Sequence, residues 1–143
     1  MAKKLLTLLL LSPLVFAEEI KLTPLSEYIK IADPNDEATW EFISKRCAAI
    51  SLTLTTRWFP EGSENHQINK ENYGVYALAA IEMRQQKYPN ADIHKITTSI
   101  TNDILRLIDP IDSIIKESQD KTGSILNNWL MSDIVICEGL FKQ

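Results

Sequence analysis

Apolar side chains recur every three or four residues along most of this chain, which is the repeat of an α-helix and not the alternation of a β-strand. A first long helix is predicted from about residue 37 to 58, after a turn signal at residues 33–36. A short leader helix is predicted before it, after Pro24. The apolar positions of the long helix fall on one face: Trp40, Ile43, Cys47, Ile50 and Leu54.

Three further helices follow from the same spacing. The second is predicted from Asn69, which can cap it, to about residue 88, and the third from about residue 92 to 119. Pro110 predicts a kink or a restart inside the third helix, with Asp109 available as a new cap, because proline lacks a backbone N–H and clashes with the preceding turn. After a break at residues 122–124, the fourth helix is predicted from about residue 125.

Small residues suggest how the first two helices meet. Gly74, Ala77 and Ala80 lie three apart on the second helix, and Ala48 and Ala49 lie together on the first. We expect these helices to cross closely. Such packing would explain a glycine inside a helix, where it costs about 0.5–1 kcal/mol relative to alanine.

Four amphipathic helices with short connections predict an all-α fold, an antiparallel four-helix bundle with the leader helix attached. Its two cysteines, Cys47 and Cys137, lie on the first and last long helices. In an oxidising compartment an even number of cysteines indicates a disulfide, which would stabilise the fold by about 4 kcal/mol in the chain-entropy model. Two buried thiols, or pairing between molecules, are the alternatives.

The first 17 residues have the pattern of a cleavable signal peptide. Lys3 and Lys4 precede an apolar stretch, Pro13 ends it, and Ala17 offers a cleavage site. A retained membrane anchor is the alternative, but the apolar stretch has about 13 residues where a span needs about 20. We therefore expect residues 18–143 to form a single helical domain that is periplasmic or secreted.

Charge excludes some partners for this domain. Without its signal peptide the chain has 13 basic and 19 acidic side chains, a side-chain charge of −6. Such a chain repels phosphate backbones and anionic lipids, so no nucleic-acid binding is expected. No later apolar run is long enough to span a bilayer, so no stable membrane insertion is expected after cleavage.

No cofactor or metal is predicted. The sequence lacks the Glu-x-x-His pairs of di-iron bundles, and it lacks any Cys-x-x-Cys motif. His66 and His94 could form a metal site with Glu64 and Asp92 if the loop folded over the start of the third helix. We favour the alternative, that both histidines are exposed surface residues.

Two carboxylates interrupt apolar faces and are the candidate acid–base groups. Asp103 follows Ile100, and Asp133 lies between Leu130 and Cys137. A partly buried carboxylate pair could do acid–base work. We favour a structural role, in which each lies at the edge of its apolar stripe or pairs with an arginine: Arg46, Arg84 or Arg106.

Trp58 and Phe59 end the first long helix and are followed by a turn. They could form an exposed patch for a partner or a small ligand. The favoured alternative is that they fold back and close the end of the bundle. Trp40 and Trp129 are expected in the core.

Three functional hypotheses follow. The leading one is a non-enzymatic, exported accessory protein that acts through contacts with another protein, as inhibitors and immunity proteins do. The second is a binding module for a small apolar ligand held between the helices. The third, an enzyme using Asp103, Asp133 or the histidines, requires these groups to converge in one cleft.

Overall fold

The computed structural model describes residues 20–141, so the predicted signal peptide lies outside the described residues. This part of the chain is all-α and contains no strand, as the apolar spacing predicts. No helix within it is both long and apolar enough to cross a membrane. The helices are α1 (Leu25–Ile31), α2 (Glu37–Thr53), α3 (Glu64–Lys87), α4 (Ile93–Leu105), α5 (Ile108–Thr122) and α6 (Trp129–Phe141).

Helix α2 is the central element. It packs against α3, α4, α5 and α6, while α1 lies against α6. The predicted apolar face is buried except for half-buried Trp40, but Arg46, Ala48 and Ala49 on other faces are buried as well. A simple four-helix bundle, in which each helix turns one face inward, is therefore not confirmed.

The predicted end of the first long helix is correct, but its last turn is wider than an α-helix. Residues 54–58 form a π-helical segment that continues α2. The hydroxyls of Thr53, Thr55 and Thr56 each donate to the carbonyl four residues earlier, at 2.7–2.8 Å. Such hydroxyl contacts compete with the backbone ladder and often bend a helix, which fits its departure from α geometry here.

The predicted start of the second long helix is wrong. Helix α3 begins at Glu64 and is capped by Ser63, whose Oγ accepts a hydrogen bond from the backbone N–H of His66 at 3.2 Å. Asn69 lies inside the helix, where its amide donates to the carbonyl of Asn65 at 2.8 Å. The first two turns resemble a loop in sequence because they are largely polar.

The kink or restart predicted near Pro110 is found as a restart, two residues before the proline. Helix α4 ends at Leu105 and a separate helix, α5, begins at Ile108. Pro110 lies in the first turn of α5, where its missing N–H would have no helical partner in any case. Asp109 does not cap α5, because the N-cap position is Leu107, which makes no side-chain hydrogen bond there.

The last helix starts later than predicted, at Trp129. Gly123 ends α5 in the left-handed conformation, with φ of 72°, as expected for a glycine at a helix C-cap. Asn128 then accepts a hydrogen bond from the backbone N–H of Leu130 at 2.8 Å. The apolar residues Ile125 and Leu126 therefore lie in the connection before α6, half-buried against the core.

Close packing of α2 and α3 is only partly as expected. Ala48, Ala49 and Ala80 are fully buried where these helices meet. Gly74 is exposed, however, and a methyl group added there would meet nothing within 4 Å. Close packing therefore does not explain this glycine.

The predicted disulfide is confirmed. Cys47 on α2 and Cys137 on α6 are bonded, with 5.7 Å between their Cα atoms. Both cysteines are almost fully buried. The bond attaches the last helix to the central one across a sequence separation of 90 residues.

Candidate functional site

A groove lies directly over the disulfide, between α3 and α6, and we call it the α3–α6 groove. Its volume is about 270 Å³. The floor consists of the two bonded cysteines with Ile50, Ser51 and Leu54 of the central helix, so it is apolar except at Ser51. These five residues are at most 4% exposed, so the floor is part of the buried core.

One wall of the groove carries three asparagines. Asn65, Asn69 and Asn72 of α3 line it at positions i, i+4 and i+7, which lie on one face of a helix. Among the hydrogen bonds of residues 20–141, no partner is present for the side-chain amides of Asn65 and Asn72. Both are therefore available to bind a ligand.

The rim of the groove is apolar on both sides. Ile68 of α3 is 39% exposed and Met131 of α6 is 46% exposed. The same helix faces continue outward with Val75 and Val135, each more than half exposed. Exposed apolar residues that continue a concave surface are typical of a binding site.

Two aromatic residues meet at the side of the groove. The rings of Tyr76 on α3 and Phe141 on α6 lie 4.8 Å apart between centroids. Burial raises the pKa of the Tyr76 phenol, and the nearby carboxylate of Glu138 raises it further. The phenol therefore stays protonated at neutral pH.

Phe59 lines the α3–α6 groove, whereas Trp58 faces α5. The indole N–H of Trp58 donates to the Asp112 carboxylate at 2.8 Å, and both aromatic residues are half-buried against the core. Both side chains therefore contact the core, whereas the interpretation that they close one end of the bundle stays a prediction. Their predicted contact with a partner stays a prediction.

Asp133 does not lie in a cleft but in a buried ion pair. Its carboxylate is 3.3 Å from Arg46 Nε and accepts the backbone N–H of Leu25 at 2.8 Å. Arg46 also donates to the carbonyl of Thr23, and its guanidinium carbon lies 5.4 Å from the Trp129 ring centroid. Burial raises the pKa of the Asp133 carboxyl, whereas the hydrogen bond from Leu25 and the charge of Arg46 lower it.

Asp103 belongs to a different group of charges, which joins α2, α3 and α4. It lies 3.0 Å from Lys45 Nζ and 3.2 Å from Arg84 Nη2, and Glu41 binds the same two cations. Burial would raise the pKa of the Asp103 carboxyl, but its contacts with Lys45 and Arg84 lower it below the usual value. Asp103 and Asp133 therefore pair with different arginines and do not converge.

The two histidines are not brought together either. His94 is exposed on α4 beside Lys95 and Arg106, and half-buried His66 lies near Glu61 and Lys70. Among residues 20–141, no three His, Cys, Asp or Glu side chains are grouped so that they could hold a metal ion.

The asparagine wall was missed by the sequence analysis. The repeat at residues 65, 69 and 72 was a usable signal, since its spacing is that of one helix face. Because the predicted helix begins at Asn69, Asn65 lies outside it, and the three asparagines do not share one predicted helix.

Comparison with known proteins gives no relative. No family model matches the chain, and no significant match is found among curated proteins or solved structures.

Proposed function

We propose that this chain is an exported, non-enzymatic protein that binds another protein through the α3–α6 groove. The main support is the groove itself, which has a buried, largely apolar floor and exposed apolar rims on both sides. Rims of this kind lose contact with water when a partner covers them, which contributes favourable free energy of about 25 cal/mol per Å² of buried apolar area.

A protein partner fits the groove better than a small apolar ligand. Pockets for drug-sized ligands have volumes of about 300–1,000 Å³. The groove, at about 270 Å³, is close to the lower limit of that range and is open at the surface. It has room for one or two side chains of a larger partner, and Val75 and Val135 extend the apolar surface beyond it.

The ionisable groups give no support to an enzyme. Asp103 and Asp133, the candidate acid–base residues, each bind cations of the fold in separate places. A general acid or base must instead lie within hydrogen-bond reach of a substrate proton in an accessible site.

Export is supported by the disulfide, which is typical of oxidising compartments. Mass spectrometry of the protein recovered from culture fluid and periplasm tests this. We expect a chain that begins at Glu18 and that gains two hydrogens on reduction. A mature chain that retains residues 1–17 would contradict the proposed cleavage.

The binding proposal is tested by cross-linking in the extracytoplasmic fraction. The variant Ile68→Asp with Met131→Asp places two carboxylates on the groove rim, and we expect it to lose a cross-linked partner that the unchanged protein retains. Leu78→Asp and Leu105→Asp are matched controls, because both leucines are about half exposed and lie outside the groove. Equal loss with the controls, or equal retention by the rim variant, would contradict groove binding.

A further inference from the structure

We propose that the partner segment held in the α3–α6 groove is an extended peptide strand whose backbone is bound by the amides of Asn65, Asn69 and Asn72. This inference rests on the proposed function, because it names the kind of segment that the groove accepts. Three observations support it: the chemistry of the amides, their spacing and the lining of the floor.

An asparagine side chain matches the chemistry of a peptide backbone. It offers two N–H donors and a carbonyl acceptor, so it can pair with the N–H and C=O of one residue of an extended strand. The amide of Asn69 is oriented by its hydrogen bond to the Asn65 carbonyl, which leaves its own oxygen and second N–H for a ligand. The amides of Asn65 and Asn72 have no competing partner among the hydrogen bonds of residues 20–141.

The spacing of Asn65 and Asn69 also matches, whereas Asn72 lies only three residues beyond Asn69. Residues four apart on an α-helix are separated by about 6 Å along its axis, since each residue rises about 1.5 Å. Alternate residues of an extended strand, whose side chains point the same way, are separated by about 6.6 Å. Asn65 and Asn69 can therefore bind alternate backbone positions of one strand.

A helical partner would not use these amides. The backbone groups in the middle of a helix are already bonded to one another, so three amides along its side would find no backbone partner. An extended segment leaves its backbone N–H and C=O groups unpaired until it meets a partner, as strands added to a sheet edge do.

The floor indicates which side chains the strand carries. It is formed by the disulfide, Ile50, Leu54 and one small polar residue, Ser51, and no Lys, Arg or His lines the groove among the described residues. Glu138 is its one acidic lining residue. A segment with an apolar side chain pointing inward and no carboxylate fits this lining.

The test uses capped heptapeptides in which serine alternates with leucine, valine or phenylalanine, titrated into the ¹⁵N-labelled protein. We expect at least one of them to shift the side-chain amide signals of Asn65, Asn69 and Asn72. The same peptide with N-methylated backbone amides should bind about tenfold more weakly, because it retains the side chains but lacks N–H donors. Asn65→Ala with Asn72→Ala should weaken binding by about the same factor, whereas Asn102→Ala, an exposed asparagine on α4, should leave it unchanged.

Three outcomes would overturn the inference. The first is no binding by any of the three peptides, and the second is equal binding by the N-methylated peptide. The third is concentration-dependent self-association that the variant Ile68→Asp with Met131→Asp abolishes, because a second copy would then occupy the groove. In the first two cases the proposed function survives if the rim variant still loses its cross-linked partner.

Discussion

Two neighbouring residues of α2 take part in opposite kinds of charge interaction. Lys45 joins a partly exposed network with Glu41, Arg84 and Asp103, in which each carboxylate contacts two cations. Arg46 points to the other side of the helix and forms one pair with Asp133, and both side chains are at most 2% exposed. Each charge of the network has two partners of opposite charge, whereas within residues 20–141 Arg46 and Asp133 have only each other.

The difference shows where the fold depends on a single contact. Partly exposed ion pairs contribute little, because water screens the charges and solvates whichever group loses its partner. A buried charge that loses its partner has no water to replace it. The buried pair also holds the backbone at Thr23 and Leu25, so it attaches both α1 and α6 to the central helix.

The largest expected effect comes from removing one member of the buried pair. Asp133→Ala leaves the buried Arg46 guanidinium without its charged partner and the Leu25 N–H without an acceptor. We therefore expect a loss of about 3–5 kcal/mol in the free energy of unfolding, measured by urea denaturation. Asp103→Ala is the matched control, with an expected loss of about 1 kcal/mol or less. Equal losses would contradict the contrast between the two regions.

A double replacement separates the charge from the shape of the buried site. Arg46→Met with Asp133→Leu removes both charges together, so we expect it to be more stable than Asp133→Ala in the same measurement. It should not reach the stability of the unchanged protein, because the Leu25 N–H and the Thr23 carbonyl still lose their partners.

The disulfide lies close to the buried ion pair, since Cys137 follows Asp133 by one turn of α6. Cys47→Ala with Cys137→Ala removes the bond, and we expect a loss of about 2–4 kcal/mol, typical for a native disulfide. Because Asp133 and Cys137 lie one turn apart on α6, their effects should be non-additive. Additive losses in a double-mutant cycle would show that the two contacts hold α6 independently.

The two regions should also respond to pH with opposite sign. Contacts with Lys45 and Arg84 lower the pKa values of Glu41 and Asp103 below their usual 4.5 and 3.8, even though burial opposes this. Their contribution to stability is present above those usual values and is lost as pH falls through the lowered ones. Burial raises the pKa of Asp133, so its contribution instead falls as pH rises from 3.8 to its raised value.

Unfolding measurements between pH 6 and about 2 test this difference. We expect Asp103→Asn to lose less stability on acidification than the unchanged protein, by about 0.5–1 kcal/mol. Asp133→Asn should change the same curve in the opposite direction, although it also lowers stability throughout. A change of the same sign in both variants would contradict the pKa directions.

The smallest expected effect comes from a substitution outside both the charged network and the buried pair. Gly74→Ala should raise the free energy of unfolding by about 0.5–1 kcal/mol, because the added methyl group meets no atom within 4 Å and alanine favours a helix. A decrease would indicate that the exposed face of α3 is more restricted than the structure suggests.

Much of the helical fold could be predicted from sequence, because local signals decide it. Asp36 caps α2 within the predicted turn, Asp92 caps α4 at its predicted start, and Cys47 lies on the predicted apolar face. The central position of α2 could not be predicted in this way. Its additional buried residues are polar or small, such as Ser44, Arg46 and Thr53, and apolar periodicity does not count them.

Less of the candidate site could be predicted from the sequence. The sequence predicts that Asp103 and Asp133 pair with an arginine, because a carboxylate on an apolar face needs a cation nearby. In the structure these arginines are Arg84 and Arg46. The groove could not be predicted from the sequence, because it depends on how far apart α3 and α6 lie over the disulfide. That distance is set by packing against α2 and leaves no local pattern in either helix.

The contacts of Arg46 and Asp133 with residues 23–25 determine which sequence changes this segment tolerates. Arg46 and Asp133 bind main-chain atoms of Thr23 and Leu25, so the identity of the side chain at position 23 matters little to that contact. The number of residues between the Thr23 carbonyl and the Leu25 N–H matters much more. A deletion or insertion of one residue between Thr23 and Leu25 would move Leu25 out of its buried position. Extra residues before position 20 would leave the contacts with Arg46 and Asp133 intact.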